Sequence, residues 1–349
     1  GCPVASRPRG RRLLRAHVAD APAFAGAPFG GGLRGGRNSR IARARGVGSS
    51  PPGALHGIFN VPGGGPPGYP PDPPAGRVCT KISVPCIFLK AYSTVSTASE
   101  RVMRNLANEG ADIIFATSFG HMNSVMRVAR SFPQTSFQHA SGYKTAPNVG
   151  TYQIRAMQGR YLAGKIAGYM STSQKIGYVA SFPIPEVIRG INAFTLGAQA
   201  ANPDVTVQAI WINSWMNAAK EREATELLIN LGADVITHHT ETPALMVAAE
   251  EAGVWAVGYQ YDRSQFAPNS HLVTIEHNWG PIYKSIIQDK LAGRWKSESL
   301  WFGVDHDATR LVSISSKVPK SILSEIEEIR SQMAVSYTHL RAHETLRYL

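Results

Sequence analysis

The sequence predicts an α/β protein made of two doubly wound parallel-sheet lobes in tandem. Three observations lead there. From Ser99 onward, short near-continuous apolar runs alternate with helical stretches, the pattern of a parallel sheet covered on both faces. One seven-residue segment recurs 122 residues later with matching surroundings. A chain of 349 residues with 43% hydrophobic and 17% charged side chains has the composition of a globular protein with room for two domains.

In chain order, Thr97 or Ser99 can cap a first helix carrying Val102, Met103 and Leu106, which Gly110 ends. Residues 112–117 then read as a short apolar strand. Further strands are expected at 136–139, 149–154, 175–180, 205–212, 234–237, 254–257 and 272–275. The clearest helix between them is 220–231, with Ala224, Leu227, Leu228 and Leu231 at i, i+3, i+4 and i+7. A last helix carries Ile322, Ile326, Ile329 and Met333 on one face. The repeat pairs Asn108-Glu-Gly-Ala-Asp-Ile-Ile with Asn230-Leu-Gly-Ala-Asp-Val-Ile, each at a helix-to-strand junction and each followed by a polar strand end. Ligand chemistry is then expected at the carboxyl ends of the strands.

The ends differ from the body. Residues 1–80 hold 17 of the 33 glycines, 13 of the 23 prolines, 11 arginines and only two acids, Asp20 and Asp72, so they carry most of the formal charge of +12. The body is close to neutral, and basicity therefore gives no argument for nucleic-acid binding there. Residues 1–92 show neither helical nor strand period, and disorder is expected. Their composition is what a GC-rich gene yields when read out of frame. Gly30-x-Gly32-x-x-Gly35 fits a dinucleotide fingerprint but follows no strand and opens no helix. No apolar run is long enough for a membrane-spanning helix, and no secretory signal is legible because Arg11, Arg12, Arg15 and Asp20 interrupt Leu13, Leu14 and Val18. All three cysteines precede residue 87, which suits an oxidising compartment for the body.

The residues just past each strand are Ser118, Phe119, Gly120 and His121; Ser181 and Phe182; Asn213, Ser214, Trp215 and Met216; His238, His239, Thr240 and Glu241; Tyr259, Gln260, Tyr261 and Asp262; and Asn278 with Trp279. Aromatic faces, amides and few carboxylates suit a flat, uncharged ligand with polar edges. Trp215 lies in a polar turn past its strand and is expected to serve as a stacking wall, whereas Trp211, inside the strand, is expected in the core. His238, His239 and Glu241 resemble a metal cluster, but adjacent strand residues point to opposite faces, so no metal site is assigned. The body contains no phosphate-binding loop, no His-Glu-x-x-His, no Gly-x-Ser-x-Gly and no cysteine, so neither a catalytic residue nor a cofactor is assigned.

From about Thr97 to Met333 the chain resembles the basic membrane protein family of ABC-transporter substrate-binding proteins, which includes purine nucleoside receptors. The resemblance rests on Ala116-Thr-Ser-Phe-Gly, on residues 139–149, on Gly159-Arg-Tyr-Leu-Ala-Gly, on residues 177–194, on Ala233-Asp-Val-Ile-Thr-His-His-Thr and on Asn278-Trp-Gly-Pro. It implies a type I periplasmic-binding fold whose two lobes close on a purine. Trp215 stands where the family places a base-stacking aromatic, and Phe119 lies in its Thr-Ser-Phe-Gly loop. Gln260 replaces an Asp of the nucleoside-binding branch, and His277 replaces a Lys that helps hold the sugar. Both departures favour a free nucleobase such as adenine or guanine. Asp262 keeps a family acid. The ligand-binding set expected on this reading is Ser118, Phe119, Gly120, Trp215, Met216, Thr240, Glu241, Gln260, Asp262 and Asn278.

The family's first strand, its Gly-Asp-x-Gly-Trp-like aromatic loop and the next helix and strand have no counterpart here, so the first lobe is expected to be incomplete, with a bare sheet edge and poor purine binding. Residues 93–171 with about 278–300 are assigned to lobe 1 and 172–277 to lobe 2. Residues 301–333 supply a C-terminal strand and helix of unassigned lobe, and 334–349 are read as an artefactual tail. The resemblance implies a monomer at the periplasm or cell envelope, delivering purine to an ABC permease, with no nucleic-acid partner. A soluble ligand-sensing domain of a regulatory system is the alternative, though no helix-turn-helix or kinase module is legible. A nucleoside-cleaving enzyme ranks third, because Glu241 and Asp262 are too few carboxylates for a calcium site and a general acid.

Overall fold

The computed structural model describes residues 16–18, 55–57, 86–88 and 96–335. Three short strands come first: β1 (Ala16–Val18), β2 (Leu55–Gly57) and β3 (Cys86–Phe88). The rest of the N-terminal segment, the expected disorder there, and the tail from 336 lie outside the described residues. β2 and β3 pair with each other, and β1 lies parallel to β4 (Ile113–Ala116), with Ala16 beside Ile113 and Val18 beside Phe115. The edge expected to be bare thus carries a three-residue strand. Backbone pairing over so few residues leaves no readable periodicity.

The chain divides into two compact units, Gly1–Thr151 with Ile287–Ser299 and Tyr152–Ile286 with Leu300–Leu349. The first contains α1 (Ser96–Asn108), β4, α2 (Met122–Ser131), β5 (Ser136–Ala140) and the start of β6 (Val149–Ile154). Its sheet runs in the order β1-β4-β5-β6-β12, where β12 is Ser299–Phe302.

The second unit begins with α3 (Ala156–Met170), β7 (Lys175–Ala180), α4 (Pro185–Ala201), β8 (Thr206–Trp211), α5 (Ala218–Asn230) and β9 (Val235–His239). It continues through α6 (Ala244–Ala252), β10 (Trp255–Gln260), β11 (His271–His277) and α7 (Trp279–Leu291), whose end belongs to the first unit. β13 (Thr309–Val312) and α8 (Lys320–Val335) close it. The sheet order is β13-β11-β10-β9-β7-β8, parallel except for β13. Counting from β7 this is the doubly wound order 2-1-3-4-5, whose strand order reverses between β7 and β9, the place where such sheets bind ligands at their carboxyl ends. One face packs Ile176, Tyr178, Val257, Tyr259 and Ile275 against α3, α4 and α8, and the other packs Val179, Ile236 and Ala256 against α5 and α6.

The sequence repeat has a physical basis. At Gly110 the chain takes φ +83°, Gly110 N donates to Ala107 O at 3.0 Å and Ala111 N to Leu106 O at 3.1 Å. At Gly232 it takes φ +95°, with Gly232 N to Ile229 O at 2.8 Å and Ala233 N to Leu228 O at 3.1 Å. Both are glycine-closed helix ends that free the following residues for a strand. Gly253 repeats the arrangement before β10.

Helix α3, assigned from sequence to the first lobe, packs in the second unit. Glycines bring it against α4: a Cβ at Gly164 would lie 2.1 Å from Phe194 O, one at Gly168 2.3 Å from Ala198 O, and one at Gly197 2.0 Å from Tyr161 O. Gly164→Ala forces the helices apart, and overpacking of this kind costs about 1–3 kcal/mol. Its melting temperature is expected to fall by several degrees in a thermal melt. An unchanged melting temperature would contradict the close approach.

Trp211 departs from expectation. It is 37% exposed, because β8 is an edge strand with neither face fully covered.

Candidate functional site

In the first unit, β4 delivers Thr117-Ser-Phe-Gly into a short turn of 3-10 helix, Phe119–His121. His139, at the carboxyl side of β5, holds this turn: its Nε2 donates to Ser118 O at 2.7 Å. Burial, opposed by that bond, lowers the His139 pKa to about 4, so the ring is neutral near pH 7. Ser118 and Phe119 are half-buried and Gly120 is exposed. Tyr143, 67% exposed, lies 6.4 Å from the Phe119 ring. Composition gave no signal for either His139 or Tyr143.

In the second unit, the carboxyl edge of the sheet carries a row of rings. Phe182 lies 5.2 Å from Trp215, Trp215 6.2 Å from His239, and His239 4.6 Å from Tyr259. Tyr259 then lies 4.8 Å from His277, His277 6.1 Å from Trp279, and Trp279 6.2 Å from Tyr283 in a stacked pair. Phe182, Trp215 and His239 follow or end β7, β8 and β9, so they sit where the strand order reverses. Trp215 is half-buried and Met216 is 51% exposed.

The Trp215 turn is pinned from both sides. Glu241 N donates to Trp215 O at 2.9 Å. Asn217 caps α5 by accepting from Lys220 N at 3.0 Å, while its own N–H donates to Glu221 Oε1 at 3.2 Å. Glu221 is fully buried and accepts from Thr240 Oγ1 at 2.9 Å and Thr242 Oγ1 at 2.8 Å. Because Thr240 gives its proton to Glu221, His238 Nδ1 is the donor in its 2.9 Å bond to Thr240 Oγ1. Arg263, fully buried, donates to Glu241 O at 2.9 Å and to Thr242 O. Thr240, expected at the ligand edge, is therefore turned inward and fully buried.

The remaining expected residues divide. Asp262 is tied to Ser313 Oγ and to Ser264 N, and although burial raises its pKa, these bonds bring it below the ordinary value. It fixes its loop. Asn278 donates from Nδ2 to Asp307 Oδ2 at 3.2 Å. Gln260 is half-buried with φ +72°, and Asn213 has φ +51°, two left-handed residues at strand ends on this edge. Burial pushes Glu241 up to about 7, with Arg263 opposing and Glu221 adding.

Burial, reinforced by the charge of Arg160, pushes His277 down to about 3 and His239 well below its ordinary value. His238 is likewise far below, from burial and then from Arg263 and Arg160. Arg160 comes up from α3 and is fully buried, with its guanidinium 3.6 Å from the Tyr259 ring centre. An arginine inside the apolar run Gly159-Arg-Tyr-Leu-Ala-Gly was the available signal for it. His238 and His239 have different partners, Thr240 and Tyr259. Among the described residues no group of three His, Cys, Asp or Glu side chains could hold a metal ion, and no helix is long and apolar enough to cross a membrane. This edge can stack a flat ring and offer it neutral hydrogen-bonding groups.

A family model, described as ABC transporter substrate-binding protein PnrA-like, matches residues 77–336. The chain belongs to this family. Among curated relatives, a purine-binding protein of Brucella abortus is 40% identical over 235 residues, 67% of this chain and 67% of that protein. A putative ABC transporter glucose-binding protein of Haloferax volcanii is 37% identical over 235 residues, 67% of this chain and 60% of that one. The match thus spans about two thirds of the relatives' length. The solved structure of an ABC transporter solute-binding protein from Conexibacter woesei superposes with a TM-score of 0.63 at 21% identity, covering 76% of this chain and 91% of that one. The fold is accordingly of the type I periplasmic-binding class.

Proposed function

We propose that this PnrA-like protein binds a purine, with a free nucleobase such as adenine or guanine preferred over a nucleoside, and hands it to an ABC permease at the cell envelope. The observation that carries the reading is the uncharged aromatic edge where the strand order of the second unit reverses. Trp215 offers a half-open face beside Phe182, and His239 and His277 are neutral. Stacking on an aromatic rewards a planar ring, and neutral edge groups match the mixed donors and acceptors of a nucleobase. Gln260, where the resemblance puts an Asp of the nucleoside-binding branch, and His277, where it puts a Lys that helps hold the sugar, favour the base alone. Sugar recognition of the kind named for the Haloferax relative calls for carboxylates free to meet hydroxyls, and here Asp262 is held by Ser313 and Ser264. Capture is by closure of the two lobes, with no catalytic step.

The test is a thermal melt of the full chain with adenine, guanine, guanosine, ribose and glucose. A ligand at 100 times its Kd adds about 2.7 kcal/mol, which for a domain of this size raises the melting temperature by roughly 5–10 °C. Adenine or guanine is expected to do so and guanosine to do less; the poor binding expected from a bare sheet edge is set aside because β1 pairs with β4 there. A rise with glucose and none with purines would overturn the reading.

A further inference from the structure

Beneath the aromatic edge, three buried polar atoms lack a hydrogen-bond partner and converge on one glycine. They are Arg160 Nε, the Tyr178 hydroxyl and His239 Nδ1. Arg160 and Tyr178 are fully buried and His239 is 4% exposed. The rest of the Arg160 guanidinium is accounted for: Nη2 donates to His238 O at 2.8 Å, Nη1 to Thr237 Oγ1 at 3.4 Å, and the plane faces Tyr259 and Tyr178. Gly190 on α4 faces the three atoms. A Cβ built there would lie 3.4 Å from Tyr178 Oη, 3.6 Å from His239 Nδ1 and 3.7 Å from Arg160 Nε, and these are its nearest neighbours outside the local helix backbone.

Leaving three buried polar groups without a partner is costly, whereas a buried water usually makes about three hydrogen bonds to such groups. We propose that the space in front of Gly190 holds one ordered water molecule, bonded to Arg160 Nε, Tyr178 Oη and His239 Nδ1. The donor count fits. Arg160 Nε only donates, a phenol hydroxyl does both, and the imidazole Nδ1 does either according to which proton His239 Nε2 shares with Tyr259 Oη at 3.3 Å. A halide would also answer the arginine's charge, and the crystallographic test below separates the two. The water joins α3, β7 and β9 at one point and holds the His239 ring that lies 6.2 Å from Trp215.

Two measurements on the full chain test the site. A high-resolution crystal structure grown in sodium bromide is expected to show one peak within hydrogen-bond distance of all three atoms and no bromide anomalous signal there. An empty space overturns the proposal, and an anomalous peak overturns water in favour of an anion. Independently, Gly190→Ala meets no steric clash and replaces a helical glycine by a better helix former, so on packing and propensity alone it should raise the melting temperature. With the water displaced it is instead expected to fall by several degrees, and to fall less when Gly190→Ala is made together with Tyr178→Phe, which removes one of the stranded groups. A rise on Gly190→Ala overturns the proposal.

Discussion

Trp215→Ala is expected to weaken purine binding roughly 5- to 150-fold while lowering the melting temperature only slightly. Stacking of a base on an aromatic side chain is worth about 1–3 kcal/mol by alanine substitution, and about 1.4 kcal/mol is tenfold in affinity. The side chain is half-buried, so part of its surface is free to meet a ligand. Its turn is held by backbone and Asn217 bonds that do not involve the indole, namely Glu241 N to Trp215 O and the Asn217 cap. The loop should therefore survive truncation. Calorimetric titration beside a thermal melt separates the two roles: a large loss of stability with unchanged affinity would make Trp215 a packing residue, since it also touches the core of the second unit.

The second large effect is on stability toward acid. The unfolded chain has histidines titrating near 6.5, whereas burial lowers His277 to about 3 and holds His238 and His239 well below their ordinary value. For each, the stability is fully present above the unfolded pKa and is lost as pH falls from there toward the folded pKa, because only the unfolded state takes up the proton. His277, held at about 3, costs the second unit about 2 kcal/mol at pH 5, and His238 and His239 act in the same direction. His139, lowered to about 4, exerts the same pull on the first unit. Glu241 works in the opposite sense: raised to about 7, it contributes stability below its unfolded pKa that is lost as pH rises through 7. One such group does not offset three. The melting temperature is expected to drop by at least several degrees between pH 7 and pH 5, and a flat profile over that range would contradict burial of neutral imidazoles.

The alternation of strands and helices was legible because a parallel sheet covered on both faces leaves unbroken apolar runs, and β6 and β7 fall on the expected residues. The repeat was legible because a glycine-closed helix end needs glycine at one position and a small apolar residue after it. Strand order was not legible, and Trp211 shows the consequence: only the position of β8 at the sheet edge exposes it. Nor was the inward turn of Thr240, which depends on Glu221 reaching over from helix α5. The ligand edge was legible as a set of strand-end residues. What sequence could not order is their division into rings that face outward, such as Trp215, and polar residues that hold the loops, such as Asp262 and Thr240.

The most direct measurement is calorimetric titration of the full chain with adenine, with glucose as the competing ligand. One molar equivalent of adenine should bind, with a negative heat-capacity change from burial of the stacked faces, and glucose should give no binding heat. Binding of glucose with no heat from adenine, guanine or guanosine would contradict the account.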